Sequence, residues 1–131
     1  MTRATLFRRT VATLLALTFA ALNHAQEYPS RPVKIIVPYA AGGQADGGVR
    51  VIANSLTQQL GQPFVVENIS GSSGIAAMQA AMKAPPDGHT LVYSDAGQWA
   101  INPALYTTKL PYDTLRDLVP VGLFGIPRCS S

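Results

Sequence analysis

Cysteine is almost missing from this sequence: the single Cys129 stands near the end, so no intramolecular disulfide can form. It cannot carry a lipid anchor either, because that cysteine would have to sit at a signal cleavage site. Histidine is nearly as scarce, and His24, His89 and Cys129 make neither a metal cluster nor a Cys/His dyad. No Gly-x-x-x-x-Gly-Lys-Ser/Thr or Gly-x-Gly-x-x-Gly run is present, and Gly71-Ser72-Ser73-Gly74 lacks the Gly-x-Ser-x-Gly spacing of a nucleophile elbow. These absences leave no catalytic residue, metal site or cofactor to nominate. The reading is of a protein that is not an enzyme.

Charged residues make up only 13% of the 131, yet the formal net charge is +3 and the pI near 9.3. A basic balance can mark a nucleic-acid partner. Here the excess is local: Arg3, Arg8 and Arg9 open the chain, and without residues 1–25 seven basic residues face seven acidic ones. No nucleic-acid partner is expected. Residues 1–25 instead have the layout of a secretory signal peptide: the basic start, an apolar run from Val11 to Leu22, and Asn23-His24-Ala25 before the cut. The run is short for a bilayer span. Arg8-Arg9 raises the twin-arginine route, but Thr10-Val11-Ala12 fits that pattern poorly, so the general secretory route is expected. Cleavage near Ala25 would deliver the rest to the periplasm.

Past the signal, the pattern alternates strand with helix. Val33 to Val37 is a β-branched run ended by Pro38, apolar enough for a strand covered on both faces. After the glycine-bearing loop Ala40 to Asp46, the residues Val49, Ile52, Ala53, Leu56 and Leu60 recur at helical spacing, with Asp46 as the expected cap and Gly61 and Pro63 as the stop. Phe64 to Glu67 predicts a second strand, and the alanine-rich stretch with Ile75, Met78 and Met82 a second helix. Pro85-Pro86-Asp87-Gly88 marks a turn before a third strand, Thr90 to Tyr93. Asn102-Pro103 has the cap-then-proline form of a helix start, a short helix is expected around Asp113 to Asp117, and Leu118 to Phe124 is apolar. Strand, helix, strand, helix, strand is the order of an α/β fold, a mostly parallel sheet flanked by helices.

Several spaced motifs agree with one known family. Tyr28-Pro29-Ser30-Arg31-Pro32-Val33-Lys34, Val37-Pro38-Tyr39 with Gly42-Gly43 and Asp46, Gly61-Gln62-Pro63, Val65-Val66-Glu67-Asn68, Pro86-Asp87-Gly88-His89-Thr90-Leu91, Ile101 to Tyr106 and Leu110-Pro111-Tyr112-Asp113 resemble, in order and spacing, the Bug-type receptors of tripartite tricarboxylate transporters. The resemblance implies part of a type II periplasmic binding-protein-like fold, two lobes closing on a small carboxylate, with membrane permease subunits as partners. That family's chains are much longer, and Ile126 to Ser131 departs from it. The expected organisation is therefore a signal peptide (1–25), a partial ligand-binding lobe (26–125) and an atypical tail (126–131). An alternative stays open: a truncated remnant, or a sensory receptor without transport activity.

The sequence also departs from the family inside its motifs. Ile69-Ser70-Gly71-Ser72-Ser73-Gly74 stands where the family carries an arginine-proline pair and a glycine-richer loop, Ala45 replaces a usual threonine, and His89 a usual tyrosine. The candidate ligand-binding residues are Tyr39, Gly42, Gly43, Ala45 and Asp46 in the first loop, Ser72 and Ser73 in the second, and Ser94 and Gln98 in the third. The first loop ends a strand and opens a helix, where backbone N–H groups and the helix dipole can hold an anion, or where glycine serves connection geometry alone. Asp46 either caps the helix or accepts a hydrogen bond from the ligand. Ser72, Ser73, Ser94 and Gln98 are equally readable as local turn and capping residues, and Trp99 as packing.

Overall fold

A β-branched run closed by proline sets the first strand, β1 (Val33–Val37), and the later elements are arranged on it. The computed structural model describes residues 28–106 and 110–123; the expected signal peptide at 1–25 and tail at 126–131 lie outside them. After β1 come α1 (Gln44–Leu60), β2 (Phe64–Asn68), a tight turn at Ser72–Gly74, α2 (Ile75–Met82) and β3 (Thr90–Val92). A π-helical turn at Gly97–Ile101 then runs into the short α3 (Asn102–Leu105).

β1 is central and parallel to both neighbours, giving the order β2-β1-β3, with Val33 beside Phe64 and Lys34 beside Thr90. Of its five residues only Lys34 is exposed, as its nearly unbroken apolar character requires. Val33, Ile35 and Val37 share one face, where Val49 and Ala53 of α1 and Phe64 of β2 complete a cluster. Ile36 is buried outside that cluster, as are Ala77 and Met78 of α2. Chain order explains the two-sided cover. α1 leads from the centre of the sheet to one edge and α2 leads past β1 to the other, so right-handed crossovers put their helices on opposite faces. Val33 and Val37 are fully buried, worth about 1.5–3 kcal/mol each relative to exposure.

The end of α1 follows its sequence signals. Gly61 takes the left-handed conformation (φ 71°) and its N–H bonds to the Thr57 carbonyl at 3.1 Å. The Thr57 hydroxyl donates to the Ala53 carbonyl at 2.8 Å and accepts the Phe64 N–H at 2.9 Å, fastening the start of β2 to the last turn of the helix. At the turn before β3, the Asp87 carboxylate accepts the His89 N–H at 2.9 Å, as the Pro-Pro-Asp-Gly pattern predicts.

Three local expectations are corrected. The N-cap of α1 is Gly43, in extended conformation, and Asp46 lies in the first helical turn. Helical geometry does not begin at Asn102: Ala96 already has φ −56° and ψ −26°, so Asn102 falls inside a longer run. From Asp113 to Asp117 there is one turn and no helix, because the Asp113 carboxylate takes the N–H groups of Leu115 and Arg116 at 3.0 and 3.3 Å. Such side-chain capture competes with helix extension. Residues 118–123 of the apolar stretch beyond form neither helix nor strand, and Val119, Val121 and Leu123 are each more than four-fifths exposed. Among the described residues no helix is long and apolar enough to cross a membrane.

Candidate functional site

Three parallel strands deliver their C-terminal ends to one side of the sheet, so the loops leaving β1, β2 and β3 meet there. They enclose an open cleft of about 380 Å³. Pro38, Tyr39 and Ala40 line it from the first loop, Ser70, Gly71, Ser73 and Gly74 from the second, and Gly97, Gln98 and Asn102 from the third. Among the described residues no lysine or arginine lines it. Another hollow, about 430 Å³ between Gln79, Met82, Lys83, Pro111 and Asp117, receives nothing from these three loops.

Behind the first loop sits Asp46, only 3% exposed. Its Oδ2 accepts the Gly42 N–H at 2.8 Å and the Arg50 Nε–H at 2.9 Å, while Oδ1 accepts from Asn68 Nδ2 at 2.9 Å. Arg50 closes the ring by donating from Nη2 to Asn68 Oδ1 at 3.0 Å, and Asn68 Nδ2 also reaches the Tyr39 carbonyl at 3.0 Å. The Arg50 bond, then those from Gly42 and Asn68, hold the Asp46 carboxyl far below the usual carboxylate range. Asp46 thus binds the entry of α1 to the end of β2. Its reach back to Gly42 resembles half of a capping box, displaced by one residue.

The third loop carries a second carboxylate. Asp95 Oδ1 accepts the Gly97 N–H at 2.8 Å, and its own N–H donates to Gln98 Oε1 at 3.0 Å, a reciprocal pair that caps the run opening at Ala96. Asp95 Oδ2 accepts the Tyr39 hydroxyl at 2.5 Å. Burial, and next the bond to Asp95, push the Tyr39 phenol up from its ordinary pKa, so it stays a proton donor. Because Gln98 Oε1 is committed to Asp95, its amide nitrogen faces the Tyr39 hydroxyl in a long contact of 3.5 Å. The Tyr39 ring leans edge-on against Tyr93, centroids 6.4 Å apart.

The second loop has an unusual backbone. Gly71, Ser72, Ser73 and Gly74 have φ of 106°, 49°, 53° and 82°, four consecutive residues in the left-handed half of conformational space. For the two serines this costs about 1–2 kcal/mol each. The turn persists because it is tied down: Gly74 N–H bonds to the Gly71 carbonyl at 2.9 Å, and buried Asn102 donates to the Ser73 carbonyl at 2.9 Å. A Cβ on Gly74 would stand 2.7 Å from Gln98 Nε2 and 3.1 Å from Pro38 Cβ, so the three loops interlock at this glycine. The hydroxyls of Ser70, Ser72 and Ser73 bond to no described residue.

The nine candidates divide accordingly. Tyr39, Ser73 and Gln98 line the cleft together. Ser72 is an exposed neighbour in the same turn, and Gly42, Gly43 and Ala45 sit at the entry of α1 with both glycines exposed. Asp46 is engaged inside the protein, and the Ser94 hydroxyl takes the Trp99 indole N–H. Sequence reasoning passed over Asp95, although Asp95-x-x-Gln98 is a readable capping-box signature. It also passed over Arg50, four residues after Asp46 on the helix. Asn68, Gly74 and Asn102 act through contacts distant in sequence, which no local signal announces.

Comparison with known proteins agrees with this architecture. Protein BugT of Bordetella pertussis is 40% identical over 106 residues, covering 81% of this chain and 32% of that protein. MatC from Rhodopseudomonas palustris, solved with bound malate, superposes with a TM-score of 0.64 at 38% identity, over 69% of this chain and 30% of that one. An R. palustris protein solved with adipate gives 0.63 at 39%, over 67% and 29%. The chain thus spans about a third of the length of the relatives it matches. Residues 49–127 match the profile of the tripartite tricarboxylate transporter family receptor, and with the parallel sheet and shared motifs this places the chain in that family of periplasmic solute-binding receptors.

Proposed function

We propose that this chain supplies a carboxylate-binding surface of an extracytoplasmic receptor that captures a small organic acid for the permease subunits of a tripartite transporter. The observation that carries the reading is the convergence of three strand-end loops on a cleft with hydroxyl and amide groups but, among the described residues, no basic side chain. In such a cleft an anion is held by oriented N–H and O–H donors, and the entry of α1 at Gly43 and Ala45 offers backbone N–H groups aligned with the helix dipole, the Gly42 N–H being taken by Asp46. Ser70, Ser72 and Ser73 add hydroxyls from the second loop. Family membership and the malate and adipate in two relatives support the ligand class. The basic, apolar and small-residue pattern of residues 1–25 supports export.

Calorimetric titration of the full chain with adipate tests the site, with Gly43→Val as the blocking variant. A Cβ at Gly43 meets only the Ala40 carbonyl, at an ordinary 3.5 Å, so the variant should fold while its bulk covers the entry of α1. Binding should be lost; full-strength binding by Gly43→Val would remove the first loop from the site. Intact-mass measurement of periplasmic material tests export, with cleavage after Ala25 as the expected result.

A further inference from the structure

The two carboxylates beside the cleft differ in one respect that bears on which acids it accepts. Asp46 is matched by Arg50. Asp95 has no cationic partner among the described residues: its bonds come from the Tyr39 hydroxyl and the Gly97 N–H. Tyr39 and Gly97 themselves line the cleft, so the Asp95 charge stands one hydrogen bond behind its wall. Gln98, 3% exposed and oriented by the Asp95 N–H, belongs to the same wall. Among the described residues, no lysine or arginine lining the cleft offsets this charge.

A single ligand carboxylate can be held by N–H and hydroxyl donors of the first and second loops. A second anionic group in the same cleft would meet the Asp95 carboxylate at short range in a partly desolvated setting. Resting on the function proposed above, we infer that Asp95 is a specificity-determining residue that biases this cleft toward monocarboxylates whose other polar group is neutral. Tyr39 and Gln98 hold the charge in place, since each bonds to a different part of Asp95. The dicarboxylates malate and adipate, bound in two relatives, supply the comparison ligand.

The test compares adipate with its monoamide, matched in shape and different by one charge, in calorimetric titrations of the full chain near neutral pH. Wild type should bind the monoamide about tenfold more tightly or better. Added salt should narrow the gap, which a purely structural role of Asp95 would not produce. In Asp95→Asn the preference should collapse toward unity because adipate gains, and Asp95→Ser, a second neutral residue able to cap the run, should do the same. Equal binding of the two ligands by wild type, or a preference that survives both Asp95 substitutions, would overturn the inference. Failure to bind either ligand would overturn the receptor reading first, and the inference with it.

Discussion

Asp46 and Asp95 stand beside loops of the same cleft, and both take backbone N–H groups near a helix start, yet they solve opposite problems. Asp46 lies inside a closed ring with Arg50 and Asn68, where each oxygen has a donor and the charge has a counter-charge. Asp95 is held as firmly in geometry, by a phenol, a backbone amide and its link to Gln98, but its charge is left to act on the cleft. The lesson is that hydrogen-bond satisfaction and charge compensation are separate quantities. A carboxylate can be fully bonded and still project a field, so one network serves the shape of the site and the other its selectivity.

The comparison can be broken most severely at Gly74, where the loops meet. Gly74→Ala forces a side chain into left-handed backbone and against Gln98, and should cost about 2–3 kcal/mol in urea unfolding of the full chain. Next in size is Arg50→Met, which makes Asp46 resemble Asp95 by removing its cation. It should lower the melting temperature by several degrees, though less than Gly74→Ala, because half-exposed Arg50 leaves a site water can reach. Since the Asp46 pKa is lowered on folding, its stabilising contribution is present above about pH 4 and is lost as pH falls below the unfolded value. In Arg50→Met the folded pKa of Asp46 moves up toward its unfolded value, so that acid loss should be smaller and complete at a higher pH, as melts across an acid series would register.

A gain is expected from the second loop. Ser73→Gly relieves left-handed strain and should raise stability by about 1 kcal/mol, reduced somewhat by the greater freedom of glycine in the unfolded chain. The smallest effect should be that of Asp95→Asn, within about 1 kcal/mol, since asparagine caps as well as aspartate. A large loss there would mean that the Asp95 charge itself holds the third loop, and the contrast with Asp46 would fade.

Much of the scaffold was legible in the sequence because it rests on short-range signals. The β-branched run of β1, the apolar spacing and Gly61 stop of α1 and the Pro-Pro-Asp-Gly turn each act within a few residues. The site was legible only by region. Tyr39, Ser73 and Gln98 were placed at strand ends, and strand ends gather in a parallel sheet. The pairing of Asp46 with Asn68, the donation by Asn102 to Ser73 and the fit of Gly74 against Gln98 join residues separated by more than 20 positions, so only the folded chain creates them. Asp113 misled because an aspartate that can open a helix can also hold a lone turn.

The left-handed run from Gly71 to Gly74 also bears on how this loop can vary over time. Ser72 and Ser73 are on the surface, where most positions accept almost any polar residue, but their backbone admits few replacements without added strain. Glycine and the short asparagine or aspartate fit that conformation; valine, isoleucine and threonine do not. A saturation library at these positions should therefore show the narrow tolerance usually met in a packed interior, imposed by the handedness of the chain alone. D-serine, introduced by chemical ligation at either position, should fit the turn better than the natural residue.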